Sequence, residues 1–213
     1  DGVEAFERIA REAARLLAQP YAVGGAQTVY LTCSVGVSWS PEAGNDAAHL
    51  LGQADLALNQ AKQLGRNRVV LYSPERSAEM AQRIVLGTEM REALQRDEIR
   101  LHYQPLIDAE RGGIAGAEAL MRWSSARLGA VSPARFIPVA EDTGMIIRLG
   151  DYALRTAIAQ LKAWDAEGRR AVPVSVNVSA WQFQRPEFIA EIEESLRDAG
   201  VRPGLLKLEL TES

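Results

Sequence analysis

Three segments of the chain alternate apolar and polar residues with a period of two, and in each the polar set carries one carboxylate or carboxamide side chain. Over residues 114–123, Gly116, Glu118, Leu120 and Arg122 share one parity, and Ala117, Ala119, Met121 and Trp123 share the other. Successive side chains of a strand face opposite ways, so Glu118 and Arg122 fall on one face. Over 172–179 the valines at 172, 174, 176 and 178 oppose Ser175, Asn177 and Ser179. Over 205–211, Leu206, Leu208 and Leu210 oppose Lys207, Glu209 and Thr211. The pattern predicts three strands, each with an apolar face for covering helices and a polar face bearing one candidate ligand near its C-terminal end.

Between the strands the period changes to that of a helix. Ser132-Pro133 reads as an N-cap followed by proline at the first helical position. Gly168 closes a long amphipathic run through Leu154, Ile158, Leu161 and Trp164. Residues 186–199 form another helix, ended by Gly200. Strands alternating with helices imply crossover connections and a parallel sheet, with ligand sites at the strand C-terminal ends. The strand expected over 99–107 reaches Ile114 through residues 108–113, too short a link for a crossover, so these two strands form an antiparallel hairpin.

Upstream, Cys33 lies on the apolar parity of an expected strand over 29–37, which makes it a core residue. Residues 68–72 read as the last strand of a first domain. Ser73-Pro74 then caps a helix whose apolar residues Met80, Ile84, Met90 and Leu94 run on as a linker. The expected organisation is a first domain over 1–73, a helical linker over 74–97 and a second domain over 98–213.

Composition narrows the class without naming a function. With 47% hydrophobic and 24% charged residues, 213 residues bury a substantial core in one or two domains. No segment approaches a membrane span. A net charge of −4 argues against a DNA or RNA backbone as partner, although a few local cations still suffice for a small nucleotide. One cysteine excludes an intrachain disulfide. His49 and His102 lack partners at metal-ligand spacing and read as structural. The chain opens on Asp1 rather than an initiator methionine, so any upstream sensor, signal peptide or membrane anchor is expected to lie outside this sequence.

On the residues alone each candidate keeps a plainer alternative. Glu118 with Arg122 reads equally as an ion pair, Asn177 as a strand-end residue bonding the backbone, and Lys62 and Arg66 as cations complementing a helix C-terminus. Carboxylate and carboxamide oxygens without cysteine or histidine favour a hard ion such as Mg²⁺ or Mn²⁺.

Five blocks in order and spacing resemble the first half of an EAL domain: Tyr103-Gln-Pro105, Glu118-Ala-Leu-Met-Arg-Trp123, Phe136-Ile-Pro-Val-Ala-Glu-Asp-Thr-Gly144, Ser175-Val-Asn-Val-Ser179 and Leu208-Glu-Leu-Thr-Glu-Ser213. The resemblance covers residues 89–213, and five ordered blocks are far more specific than one three-residue motif. It implies an α/β fold, a partial TIM-like (β/α) barrel with an antiparallel first strand. It also implies metal-dependent hydrolysis of cyclic-di-GMP to the linear dinucleotide in the parent protein. By the same resemblance Glu118, Asn177 and Glu209 are ligands of Mg²⁺ or Mn²⁺, with Glu118 and Glu209 catalytic. Arg122 steadies a substrate phosphate, Gln104 lies nearby in the pocket, and Glu212 braces a loop. The family's later acidic residues and lysine fall beyond Ser213, so the chain alone is expected to be inactive.

Tyr30-Leu-Thr-Cys-Ser-Val-Gly-Val37, Ala54-Asp-Leu-Ala-Leu-Asn-Gln-Ala-Lys62 and Gly65-Arg-Asn-Arg-Val69 resemble the C-terminal part of a GGDEF domain, the α+β fold of diguanylate cyclases. The signature loop is absent, and Asn59 stands where that family usually has tyrosine. The resemblance implies that Lys62 and Arg66 contact GTP phosphates in a complete GGDEF domain. Together the two resemblances imply a cytoplasmic, homodimeric signalling protein. The rival reading is a catalytically silent module that binds cyclic-di-GMP or a protein partner.

Overall fold

The structure is a computed structural model that describes residues 2–25, 27–39, 46–110, 112–168 and 172–210. The chain divides into two compact units, Asp1–Gln82 and Arg83–Ser213. The division falls inside one helix.

The first unit contains α1 (Gly2–Leu17), β1 (Tyr21–Val23), β2 (Gln27–Val29), β3 (Val35–Val37), α2 (Ala47–Gln63), β4 (Val69–Leu71) and the start of α3 (Pro74–Ala93). β1 and β2 are antiparallel, and Gly24, at φ +61°, takes the left-handed conformation their turn requires. β3 and β4 are parallel, with Val35 opposite Val69, and α2 makes the crossover. α2 lies so close to β3 that a Cβ on Gly36 would stand 2.1 Å from the Ala54 carbonyl oxygen. Ala57, Ala61 and Val70 form the small core between them.

The strand expected over 29–37 is interrupted. Residues 30–34 belong to neither β2 nor β3, and Tyr30 is 75% exposed. Cys33 is therefore half-buried rather than a core residue, with its Sγ 3.9 Å from the Ala14 carbonyl oxygen.

The second unit continues from α3 through β5 (Ile99–Ile107), β6 (Ile114–Ser125), β7 (Gly129–Val131), α4 (Pro133–Asp142) and α5 (Met145–Ala166). It then runs through β8 (Val174–Val178), α6 (Ala180–Phe183), α7 (Phe188–Ala199), a 3-10 turn at Pro203–Leu205, and β9 (Leu206–Leu210). The sheet order is β5-β6-β8-β9, with the short β7 folded back onto β6. β5 and β6 are antiparallel, as the short 108–113 link dictates, whereas β6, β8 and β9 run parallel through helical crossovers. This is an α/β fold, the opening section of a TIM-like barrel whose first strand is reversed.

α5 and α7 cover one face of the sheet. Val174, Val176 and Val178 pack there with Ala157, Leu161 and Phe188, all essentially buried. A second core joins Met90 of α3 to Trp123, Phe136 and Leu149, with the Trp123 and Phe136 rings edge to face at 5.8 Å. Glu98 supports that corner. Its carboxylate accepts the Trp123 indole N–H at 3.1 Å and the Ala126 backbone N–H at 3.2 Å. Those bonds, the indole's above all, hold its carboxyl below the usual glutamate range.

Three expected elements differ in detail. The amphipathic run after Ser132-Pro133 is two helices, because Gly144 adopts φ +72° and turns the chain between α4 and α5. Only Phe188 onward forms the helix expected from residue 186, since residues 180–183 make a separate turn. In α3, Met90 is buried as expected, but Ile84 is 59% exposed, and Leu86 with Gly87 takes the buried stripe instead. Among the described residues no helix is long and apolar enough to cross a membrane.

Candidate functional site

The alternation along each strand decides which side chains face away from the helices. In β6, Ala117, Ala119 and Trp123 are buried on the helix side, which sends Glu118, Leu120 and Arg122 to the opposite face. The valines of β8 do the same for Ser175 and Asn177, and Leu206 of β9 for Lys207 and Glu209. In β5, Ile99, Leu101 and Tyr103 pack toward the helices, leaving Arg100, His102 and Gln104 on the shared polar face.

The register brings the candidates together. Gln104 lies directly across from Glu118, Glu118 beside Ser175, and Asn177 beside Glu209. Glu118 and Asn177 are thus diagonal neighbours, and the Asn177 Nδ2–H donates to Glu118 Oε1 at 2.8 Å. That bond orients the carboxamide and leaves Asn177 Oδ1, the second Glu118 oxygen and the Glu209 carboxylate as acceptors. Among the described residues no three His, Cys, Asp or Glu side chains gather at metal-binding distance. The set is two carboxylates and one carboxamide, all oxygen donors on one face, and it fits part of the coordination shell of a hard divalent ion.

Arg122 sits four strand positions beyond Glu118, about 13 Å along the strand. No ion pair joins the two among the described residues; the Arg122 Nη1–H donates to the Met121 carbonyl at 3.0 Å. Glu209 and Gln104 are exposed on the open face. Glu212 lies outside the described residues. In the first unit, Lys62 occupies the last turn of α2, and Arg66 follows Gly65 at φ +61° with its N–H bonded to the Ala61 carbonyl at 3.0 Å. Both are solvent-exposed. His49 bonds Gln53 at 2.9 Å, and His102 stands exposed across from Leu120.

Sequence reasoning missed Gln182. This side chain is 1% exposed; its Oε1 accepts from the Ser179 backbone N–H and Oγ–H, both at 3.3 Å. Its amide lies flat on α5 where Gly150 has no side chain, and a Cβ there would meet it at 2.1 Å. The signal was present as Ser179-x-x-Gln182, the spacing of a capping box, two residues past Asn177. Gln182, Gly150, Glu141, Asn177 and Arg122 line a cavity of about 230 Å³ at the C-terminal end of the strands. Most of its remaining wall belongs to the helix-facing side of the sheet, so it borders the polar face rather than containing it. On the helix side, burial pushes the Tyr103 hydroxyl up to about 12. That hydroxyl has no hydrogen-bond partner among the described residues, and its ring stands edge-on to Trp164 at 5.2 Å.

A family model of the EAL domain matches residues 88–213, and one of the GGDEF domain of diguanylate cyclases matches residues 1–68. The chain belongs to the EAL domain family, with a GGDEF segment preceding the EAL segment. It is 37% identical over 194 residues to the cyclic di-GMP phosphodiesterase NbdA of Pseudomonas aeruginosa, covering 91% of this chain and 25% of that protein. It is 34% identical over 209 residues to the cyclic di-GMP phosphodiesterase PdeR of Escherichia coli, covering 98% of this chain and 31% of that protein. Among solved structures, the PaMucR phosphodiesterase in complex with c-di-GMP superposes with a TM-score of 0.57 at 36% identity, over 61% of this chain and 52% of that one. The EAL domain of Xanthomonas citri FimX in complex with c-di-GMP gives 0.55 at 27% identity, over 63% and 52%. The chain thus spans between a quarter and a third of the length of these curated relatives, and about half of each of these two solved chains.

Proposed function

We propose that the full-length protein carrying this chain hydrolyses cyclic-di-GMP to the linear dinucleotide, with Mg²⁺ or Mn²⁺ as cofactor. The observation that carries the reading is the meeting of Glu118 and Asn177 at 2.8 Å, with Glu209 at the adjacent register position. Three oxygen donors from three successive strands of the sheet are placed by backbone pairing rather than by flexible loops, so their separation is fixed before any ligand binds. Bound there, a hard divalent ion supplies Lewis acidity at a phosphoryl oxygen and acidifies water in the site. Glu118 and Glu209 hold the charge that the ion requires, and Asn177 orients Glu118. Arg122 faces the same side four residues further toward the strand end, where the N–H groups not bonded to Met121 suit a substrate phosphate. Gln104, across from Glu118, borders the space a nucleotide fills, and the loop-supporting role is assigned to Glu212 by the family motif. Relatives named as cyclic di-GMP phosphodiesterases and neighbours solved with c-di-GMP support the substrate.

We assign residues 1–73 to the GGDEF part, 74–97 to the linking helix and 98–213 to the EAL part. In a complete GGDEF domain Lys62 and Arg66 contact GTP phosphates. The domains work in the cytoplasm as a homodimer, with no nucleic-acid partner.

The test is Glu118→Ala in the full-length protein. Losing one of few charged ligands removes transition-state stabilisation worth several kcal/mol, so turnover falls at least about a hundredfold while the fold is kept. Nucleotide chromatography reads turnover and circular dichroism reads the fold. Hydrolysis at the wild-type rate by Glu118→Ala sinks the assignment.

A further inference from the structure

Arg100 and Arg122 are direct partners in the antiparallel β5–β6 register. Directly opposed residues leave the same face of a sheet with Cβ atoms about 5 Å apart. The face is the one that carries Glu118, Asn177 and Glu209. Two guanidiniums placed opposite each other repel and weaken the pairing, and among the described residues no carboxylate pairs with either to offset this. Among the described residues the ion pairs of this unit engage Arg83, Arg96, Arg127 and Arg185, whereas neither Arg100 nor Arg122 meets a carboxylate. Arg122 uses one N–H on the Met121 carbonyl and has the rest of its fork free. The pair also has a defined height. Glu118 is level with Ser175, and Asn177 with Glu209, so Arg122 and Arg100 stand beyond the carboxylate row, toward the C-terminal end of β6 and the open mouth of the sheet.

An unpaired cation pair held by backbone register beside an oxygen-donor site calls for an anion that bridges it. We propose that Arg100 and Arg122 form a two-guanidinium clamp on one phosphodiester of the cyclic dinucleotide, Arg100 supplying the half of the clamp that lies on the reversed strand. The clamp rests on the function proposed above and adds to it a residue of β5 that makes substrate affinity depend on the hairpin. Each guanidinium presents parallel N–H donors that match the two free oxygens of a phosphodiester. A clamp of this kind keeps the phosphate still while the metal-side residues act on it. Its repulsion when empty is the cost of that arrangement.

The experiment measures binding of cyclic-di-GMP to the full-length protein by calorimetry in chelator, where no turnover occurs, together with thermal melting of the ligand-free protein. Arg100→Gln weakens binding about tenfold or more, the loss expected for a charge-assisted phosphate contact, and makes affinity less sensitive to salt. Arg100→Lys retains the charge but not the fork and falls between. Ligand-free Arg100→Gln melts above the wild type, because the repulsion is gone. A merely structural Arg100 gives the opposite sign in melting. Binding by Arg100→Gln within twofold of a wild type that does bind overturns the clamp and leaves the proposed function standing. A wild type that binds no cyclic-di-GMP overturns both.

Discussion

At the residue scale, what separates the site from a generic polar strand face is that its acceptors are left open on purpose of geometry rather than satisfied by neighbours. Glu118 receives one carboxamide N–H and joins no ion pair among the described residues, whereas Glu89, Asp142 and Asp151 are held in ion pairs and Glu98 in bonds to indole and backbone. Glu98 has a testable consequence of its own. Its folded-state pKa lies below the ordinary glutamate value, so its contribution to stability is present above about pH 4.3 and is lost as pH falls through the folded value. Glu98→Gln therefore lowers the melting temperature at neutral pH, and the gap from wild type narrows as pH drops below about 4. Melting curves across that range check it; a gap that widens in acid contradicts the hydrogen-bonding account. Glu98 was not readable as special from sequence, because an acid preceding a strand looks the same whether it is solvated or caps a tryptophan.

At the element scale, the strands were the legible part. Alternation over 114–123, 174–178 and 206–210, the parts of the expected strands that the structure describes as strand, set which residues share a face, and the register then joined Glu118, Asn177 and Glu209 as that parity requires. The helical stretch was read less well, because Gly144 falls within an apolar-periodic run and only its left-handed φ reveals a break. β7 has three residues, too few to show any period. In α3 two candidate stripes overlap, and packing against Trp123 and Phe136 selects the one with Leu86 and Met90. Gly150 shows how an element contact escapes sequence reading. A glycine inside a helix ordinarily costs about 1 kcal/mol against alanine, so Gly150→Ala would stabilise an unconstrained α5. Here the added Cβ meets the buried Gln182 amide at 2.1 Å. The substitution forces Gln182 off Ser179, two residues past Asn177, and destabilises the fold by about 1–3 kcal/mol. Chemical denaturation measures the loss, and the Gly150→Ala/Gln182→Ala double variant recovers part of it if the clash is the cause. Stabilisation by Gly150→Ala would show that α6 yields freely.

At the scale of the whole second unit, the sheet is open. Its order ends on β5 and β9, and among the described residues neither outer edge is paired. A closed eight-stranded barrel takes about 250 residues, and closure is what removes strand edges. β9 presents its free backbone edge beside Leu208, 38% exposed, and Leu210, 61% exposed. An unpaired, apolar edge strand is a template for another copy of itself. The chain of 213 residues produced by itself is therefore expected to self-associate, and Leu210→Lys, which puts a charge on that edge, to reduce the association. It is also expected to hydrolyse no cyclic-di-GMP, since Glu118, Asn177 and Glu209 supply only part of a metal and substrate site on a sheet that stays open. Nor does it make cyclic-di-GMP from GTP, because Lys62 and Arg66 stand exposed with no acidic metal site beside them among the described residues. Light scattering and nucleotide chromatography on the isolated chain decide the matter. A stable monomer with metal-dependent turnover would show that the polar face of these four strands is sufficient for catalysis, and that β9 is protected by something other than a further strand.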